Sequence, residues 1–321
     1  MTVQSDNLEK TILNALEKHS PVVEHARRRR WGFALANGKA IGFTADIDDE
    51  WVVLQAHLDG AAGDVDTRNL WDLLCLNARL DGSAKFVLQN DLRSLGLRAE
   101  IPVDEDGEDM VLPRRLHETC KAFEKALAWL HAETESRPLQ DSLAGSGAGG
   151  ATSDGIDLRA LCEQTHWPLN QREDGSMAFD LQARTGFQQA LVRSGPQERV
   201  SVFADLAECS VLPVVSRQAI SLMLLRASRL VRGARAVGQV RDNGAVIRFE
   251  TVFPSRPTAR ELQHALAALA VANDLCGSET VALQDEGIAE GYLRLQGWVA
   301  KSPGFIAEST IEEDEASVVA A

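Results

Sequence analysis

Leu8, Ile12, Leu13 and Leu16 fall at the spacing of one helical face and predict an opening amphipathic helix. The apolar period then changes to two. Trp31, Phe33 and Leu35 alternate with Gly32, Ala34 and Ala36, Asn37-Gly38 supplies a tight hairpin turn, and Ile41, Phe43 and Ala45 alternate on the return. Past an acidic turn at 46–50, a third alternating run covers Trp51 to Leu58. Leu70, Trp71, Leu73 and Leu74 give a second helix, over about 67–80, a broad apolar face. Strands are predicted at 84–89 and 97–103, and a closing helix from Pro113, a residue suited to a first helical turn, to Leu130. The predicted order is α-β-β-β-α-β-β-α.

The second half repeats that order. A short helix at 158–164 precedes a strand with Met177, Phe179 and Leu181 on one face, then strands at 188–193 and 199–206. A long apolar helix runs from Pro213 to about Val231. A hairpin (234–240 and 245–253) turns through Asp242-Asn243-Gly244, and Pro257 starts a helix reaching Leu275. Residues match across the halves with a drifting offset: Phe33 and Leu35 with Phe179 and Leu181 at 146, and Val52 and Ala56 with Val200 and Ala204 at 148. Arg79, Leu80, Ala84, Val87, Gln89, Arg98 and Glu100 match Arg229, Leu230, Ala234, Val237, Gln239, Arg248 and Glu250 at 150, and Leu116 matches Leu262 at 146. Shifts of this size, placed in turns, are the mark of an internal duplication. Between the copies, 137–154 is rich in Gly, Ala and Ser and has linker composition. The expected fold class is α+β, with domains at 1–136 and 155–298 joined by that linker, and an acidic tail at 299–321.

Length agrees with this division, since 321 residues suit two domains of ordinary size. Residues 1–150 carry 17 basic and 25 acidic side chains and residues 151–321 carry 16 and 22, so the net charge of −14 is shared by both halves. An acidic surface argues against nucleic-acid or anionic-membrane binding, both of which need a basic face. The first ten residues lack the apolar core of a secretory signal, and no apolar stretch is long enough to cross a bilayer, which predicts a cytoplasmic protein. Five cysteines, widely spaced and without a CxxC pair, read as reduced, mostly buried side chains.

Motifs that carry chemistry fail their context tests. Gly145, Gly147 and Gly150 fit GxGxxG, but no strand precedes them and no helix opens after them, so they belong to the linker. The carboxylates at 46–50 and 104–109 lack the alternation, central glycine and distal Glu of a calcium loop, and read as solvated turns. The seven histidines never take HxxxH or HExxH spacing, so no metal is expected. No GxSxG elbow is present. Arg27-Arg28-Arg29-Arg30 is the sharpest charge feature; a grip on phosphate or an acidic peptide is the alternative, and the preferred reading is charged protection at the border of a strand. Neither catalysis nor a cofactor is expected.

Element order, acidity and domain size make each half resemble the class I type III secretion chaperones, the Tir-chaperone-like family, over residues 5–130 and 156–275. The resemblance implies a non-catalytic protein that holds an extended segment of a secreted partner for export. A sensory regulator or scaffold of the same fold, binding a folded partner, is the alternative. The family pairs single domains as homodimers, with the second helix and following hairpin at the two-fold interface. Two joined copies imply a monomer acting as an intramolecular pseudo-dimer. Trp71 and Leu74 on one side, with Ile220 and Leu224 on the other, are the expected inter-domain interface. Trp31, Phe33, Phe43 and Trp51 make the strands of the first half the more aromatic, and are the expected partner-binding residues.

Overall fold

The structure, a computed structural model, describes residues 3–17, 22–27, 30–35, 41–48, 50–58, 70–89, 94–103, 111–134, 156–183, 186–241 and 244–298. The expected linker and acidic tail lie outside the described residues. The first half runs α1 (Val3–Glu17), β1 (Val22–Arg27), β2 (Arg30–Leu35), β3 (Ile41–Asp48), β4 (Trp51–His57), α2 (Leu70–Asn77), β5 (Lys85–Leu88), β6 (Leu95–Pro102) and α3 (Val111–Thr134). The second runs α4 (Leu158–Glu163), β7 (Leu169–Gln171), β8 (Met177–Ala183), β9 (Gly186–Ser194), β10 (Val200–Glu208), α5 (Val214–Ala227), β11 (Arg235–Arg241), β12 (Gly244–Phe253), α6 (Ala259–Ala282) and α7 (Glu286–Leu295).

The protein is thus α+β, with two antiparallel six-stranded sheets. Apart from a single 3-10 turn at Pro196–Glu198, three described elements go beyond the predicted order: β1, β7 and α7. Both extra strands stand at outer ends of their sheets. The first sheet is ordered β1-β2-β3-β4-β6-β5, and the second, read from its own outer end, β7-β8-β9-β10-β12-β11. Position for position the two orders are the same.

Pairing register refines the repeat. Val52 stands opposite Ile101 in the first sheet, and Val200 opposite Phe253 in the second. Lys85 faces Arg98, whereas Arg235 faces Glu250. Both observations match β6 to β12 at an offset of 152, so Arg98 corresponds to Glu250, and Glu100 to Val252. The identities at 150 in that strand were a two-residue slip. Because such a slip keeps every side chain on its face, sequence pattern alone does not detect it.

Helices cover the sheets for reasons visible in their sequences. Ile12 and Leu16 of α1 are fully buried, and α1 lies along α3; burial of each such side chain is worth about 1.5–3 kcal/mol. Thr258 and Glu261 close a reciprocal capping box at the start of α6, a device worth ~1 kcal/mol. The predicted all-round apolar helix is α5, and it is covered on several sides. It packs on α6 and α7 of its own half, and on α2 and β5 of the first. In return α2 packs on β11. One continuous buried core spans both halves. No single described helix is long and apolar enough to cross a membrane. α6 and α7 pass that test only as a pair, bent by 113°.

Candidate functional site

The junction of the halves concentrates the buried polar chemistry of the described residues. Two cations anchor it. Lys85, at the first position of β5, is fully buried; its Nζ lies 2.9 Å from Glu100 Oε2 and donates to the backbone carbonyls of Val231 at 2.6 Å and Ala234 at 3.0 Å. Arg235, at the first position of β11, answers it. Its guanidinium donates to the carbonyls of Leu80 (2.5 Å), Gly82 (3.2 Å) and Ala84 (3.1 Å), and to Glu250 at 2.8 Å. Each cation therefore binds a carboxylate of its own sheet and ties down the turn that follows the other half's helix. Burial pushes the Lys85 ammonium below the usual lysine range, against the opposing pull of Glu100. Asn77 adds a third tie: its side-chain amide donates to Ala236 of the second half, while its Oδ1 accepts from the Phe86 amide.

At the other end of the junction, the Arg115 guanidinium forks onto Glu261 at 2.6 and 3.0 Å and also reaches Glu118 at 2.7 Å. Burial alone would push the Glu261 carboxyl up. The hydrogen bonds and charge of Arg115 prevail and hold it below the usual carboxylate range. A group lowered in this way stabilises the fold above its unfolded value, about 4.3, and the contribution fades as pH falls through the folded value. The urea midpoint of the native chain is accordingly expected to drop on acidification below about pH 5, and the drop to be shallower in Glu261→Gln. An equal acid slope in both proteins would show that this pair carries none of it.

Between these two networks lies a cleft of about 510 Å³, counting its mouth open to solvent, with Trp51, Glu118, Thr251, Phe253 and His264 among its lining. Its charged groups are already paired, Arg115 with Glu118 and Glu261, and Glu100 with Lys85 and Arg98 behind the lining. Among the described residues no group of three or more His, Cys, Asp or Glu is placed to hold a metal. All five thiols are buried and free, and burial pushes them up, Cys209 to about 11 and Cys75, Cys120, Cys162 and Cys276 to about 12. At neutral pH these are inert thiols rather than nucleophiles.

The residues expected to bind a partner separate. Phe43 is 2% exposed and packs edge-to-face on Phe123 in the core, with ring centroids 6.2 Å apart. Trp51 turns toward the second half, against Gly233 and the His264 ring. Trp31 and Phe33 lie in β2, opposite Ala45 and Phe43; their side chains, and those of the Arg27–Arg30 run, lie outside the described residues. Of the expected interface, Leu74, Ile220 and Leu224 are fully buried, and Trp71 lies against Gly238 and the Arg217 guanidinium of the second half.

Sequence reading missed Lys85, Arg235, Asn77, Arg115 and Glu261. Lys85 and Arg235 did leave a signal, a lone cation at the head of an apolar run. No family model matches this chain, and no curated protein matches it.

Proposed function

We propose that the chain is a non-catalytic binding protein resembling a type III secretion chaperone, in which two α+β units pack as an intramolecular pseudo-dimer and hold an extended segment of a partner protein. The observation that carries this reading is the reciprocal exchange at the junction. α2 lies on β11 while α5 lies on β5, and Lys85 and Arg235 each bind the turn of the opposite half. Joining the units on one chain raises their effective concentration to about the millimolar range for a flexible linker. With β5 and β11 covered at the junction, β1 and β7 remain as the outer strands of the sheets, where an extended segment would add through backbone hydrogen bonds.

A second reading, a scaffold binding a folded partner, draws support from α6 and α7. Val281, Ile288 and Leu295 are exposed there at 66%, 52% and 86%, and α7 has no described counterpart in the first half. The test is to purify the tagged chain with what it retains from its host and to map backbone amide exchange on the retained protein. Protection confined to one short segment of an otherwise exchanging partner is the expected result. A partner that is protected throughout, as a folded domain is, would favour the scaffold. No retained partner of either kind would remove the binding function.

A further inference from the structure

Burial and register set the halves in residue-by-residue correspondence, and at that level the junction is asymmetric in a directed way. α3 and α6 pass through the same succession of buried and exposed positions when Arg115 is laid on Glu261: buried 115–116, 119–120, 122–123 and 126–127 fall on buried 261–262, 265–266, 268–269 and 272–273. Arg115 and Glu261 are therefore counterparts, and they are bound to each other. A residue that touches its own counterpart lies on the axis relating the two units. Two first halves paired in this way would bring Arg115 against a second Arg115, and two second halves would bring Glu261 against a second Glu261, with little solvent to screen either repulsion.

The rim repeats the pattern. Gly82 and Gly233, both with left-handed backbone, mark the turns after α2 and α5, and Leu80 and Val231, both fully buried, stand two residues before them; Asp81 and Arg232 therefore correspond at an offset of 151, and the match of Leu80 with the exposed Leu230 at 150 does not hold. Asp81 forms an ion pair with Arg199 at 2.9 Å, and Arg232 donates to Asp48. Pairing of like halves would set Asp81 toward the corner that carries Asp48, and Arg232 toward Arg199. Size is matched as well as charge. Trp71 of α2 rests on Gly238 of β11, while the β5 position that corresponds to Gly238 in the register of Lys85 and Arg235 holds Leu88, which is fully buried. Two first halves would drive Trp71 into Leu88.

We propose that the joining surface accepts the unlike half and rejects a second copy of the same half, so that the chain forms one closed, directional pair. This rests on the pseudo-dimer reading above. The test uses the whole chain with a protease site placed between residues 137 and 154 and cut after folding. Cut protein grown in light and heavy isotopes is mixed in urea below its unfolding midpoint until label is scrambled between complexes, and native mass spectrometry reads the pairs. Unlike pairs alone, in light, heavy and mixed form, are expected. Like pairs at the proportion of random reassociation overturn the proposal and leave the pseudo-dimer standing. Release of single halves on cutting overturns the pseudo-dimer and the proposal together.

A gain of pairing tests the named residues. In Asp81→Arg combined with Arg115→Gln, the first half offers a cation to Asp48 of its own copy and no longer repels itself on the axis. Pairs of two first halves are expected to rise about tenfold, equivalent to ~1.4 kcal/mol of pairing free energy. Asp81→Arg alone, at a partly exposed rim position, gives the same direction of change should the double variant not fold. No rise in like pairs from the rim variant overturns the assignment.

Discussion

Replacing Arg235 with alanine is expected to cost about 3–5 kcal/mol of stability, the usual result of removing one partner of a buried charge network. Three carbonyls of the first half and the carboxylate of Glu250 depend on this one guanidinium. The Leu80 and Ala84 carbonyls and the carboxylate would be left without this partner at buried positions, Arg235 itself being 1% exposed. The cost of an orphaned buried acceptor is about 1–3 kcal/mol, so the carbonyls and the carboxylate together reach the stated range. Adding Glu250→Gln to Arg235→Ala should cost less than the sum of the two changes, since the double variant no longer buries an unpaired anion. Chemical denaturation of the two singles and the double measures this cycle. A loss below about 1 kcal/mol for Arg235→Ala, the typical net value of one ordinary hydrogen bond, would mean that the turn at 80–84 is held by packing alone. Lys85→Met is expected to move stability in the same direction and less far, since an ammonium gives up fewer directed donors than a guanidinium.

These networks also show where sequence reading stops. Alternation around Val52, Phe179 and Val200 was enough to locate their strands, because each has one face on a core and the pleat repeats every two residues. β1 and β7 were missed for the converse reason. Val22-Val23-Glu24-His25-Ala26-Arg27 does not alternate and Leu169-Asn170-Gln171 has one apolar residue, and edge strands such as these, paired on one side only, tolerate polar and charged residues. α7 was legible but unread, since Ala289 and Leu293 stand four residues apart and are both buried. The polar junction was not legible in principle. Whether a charge on a strand faces water or the carbonyls of a segment about 150 residues distant depends on how two sheets meet, and periodicity carries no such information. The aromatic count is ambiguous for a related reason. Phe43 and Trp51 are as well suited to a core and a junction as to a sticky surface, and in this structure they serve the first two.

Gly238 provides the sharpest test of the junction, because strand preference and packing predict opposite signs there. Valine is favoured over glycine in a strand, so on local grounds Gly238→Val in the middle of β11 should stabilise. At this position a Cβ would lie 2.9 Å from the Trp71 ring and 3.2 Å from the Cys75 sulfur of the first half. Real Cβ atoms do not approach so closely, so α2 must shift or the indole must leave its place. Overpacking of this kind costs about 1–3 kcal/mol. The expected result is therefore a destabilised protein in which Trp71 fluorescence changes and the cut chain separates at lower urea. Trp71→Leu in the same protein removes the part of the ring that clashes, and should return most of the loss, giving a coupling energy opposite in sign to the single effects. Should Gly238→Val instead stabilise the chain, or should the two changes simply add, α2 would not be seated on β11 in solution. The reciprocal exchange on which the pseudo-dimer rests would then fail at its most crowded point.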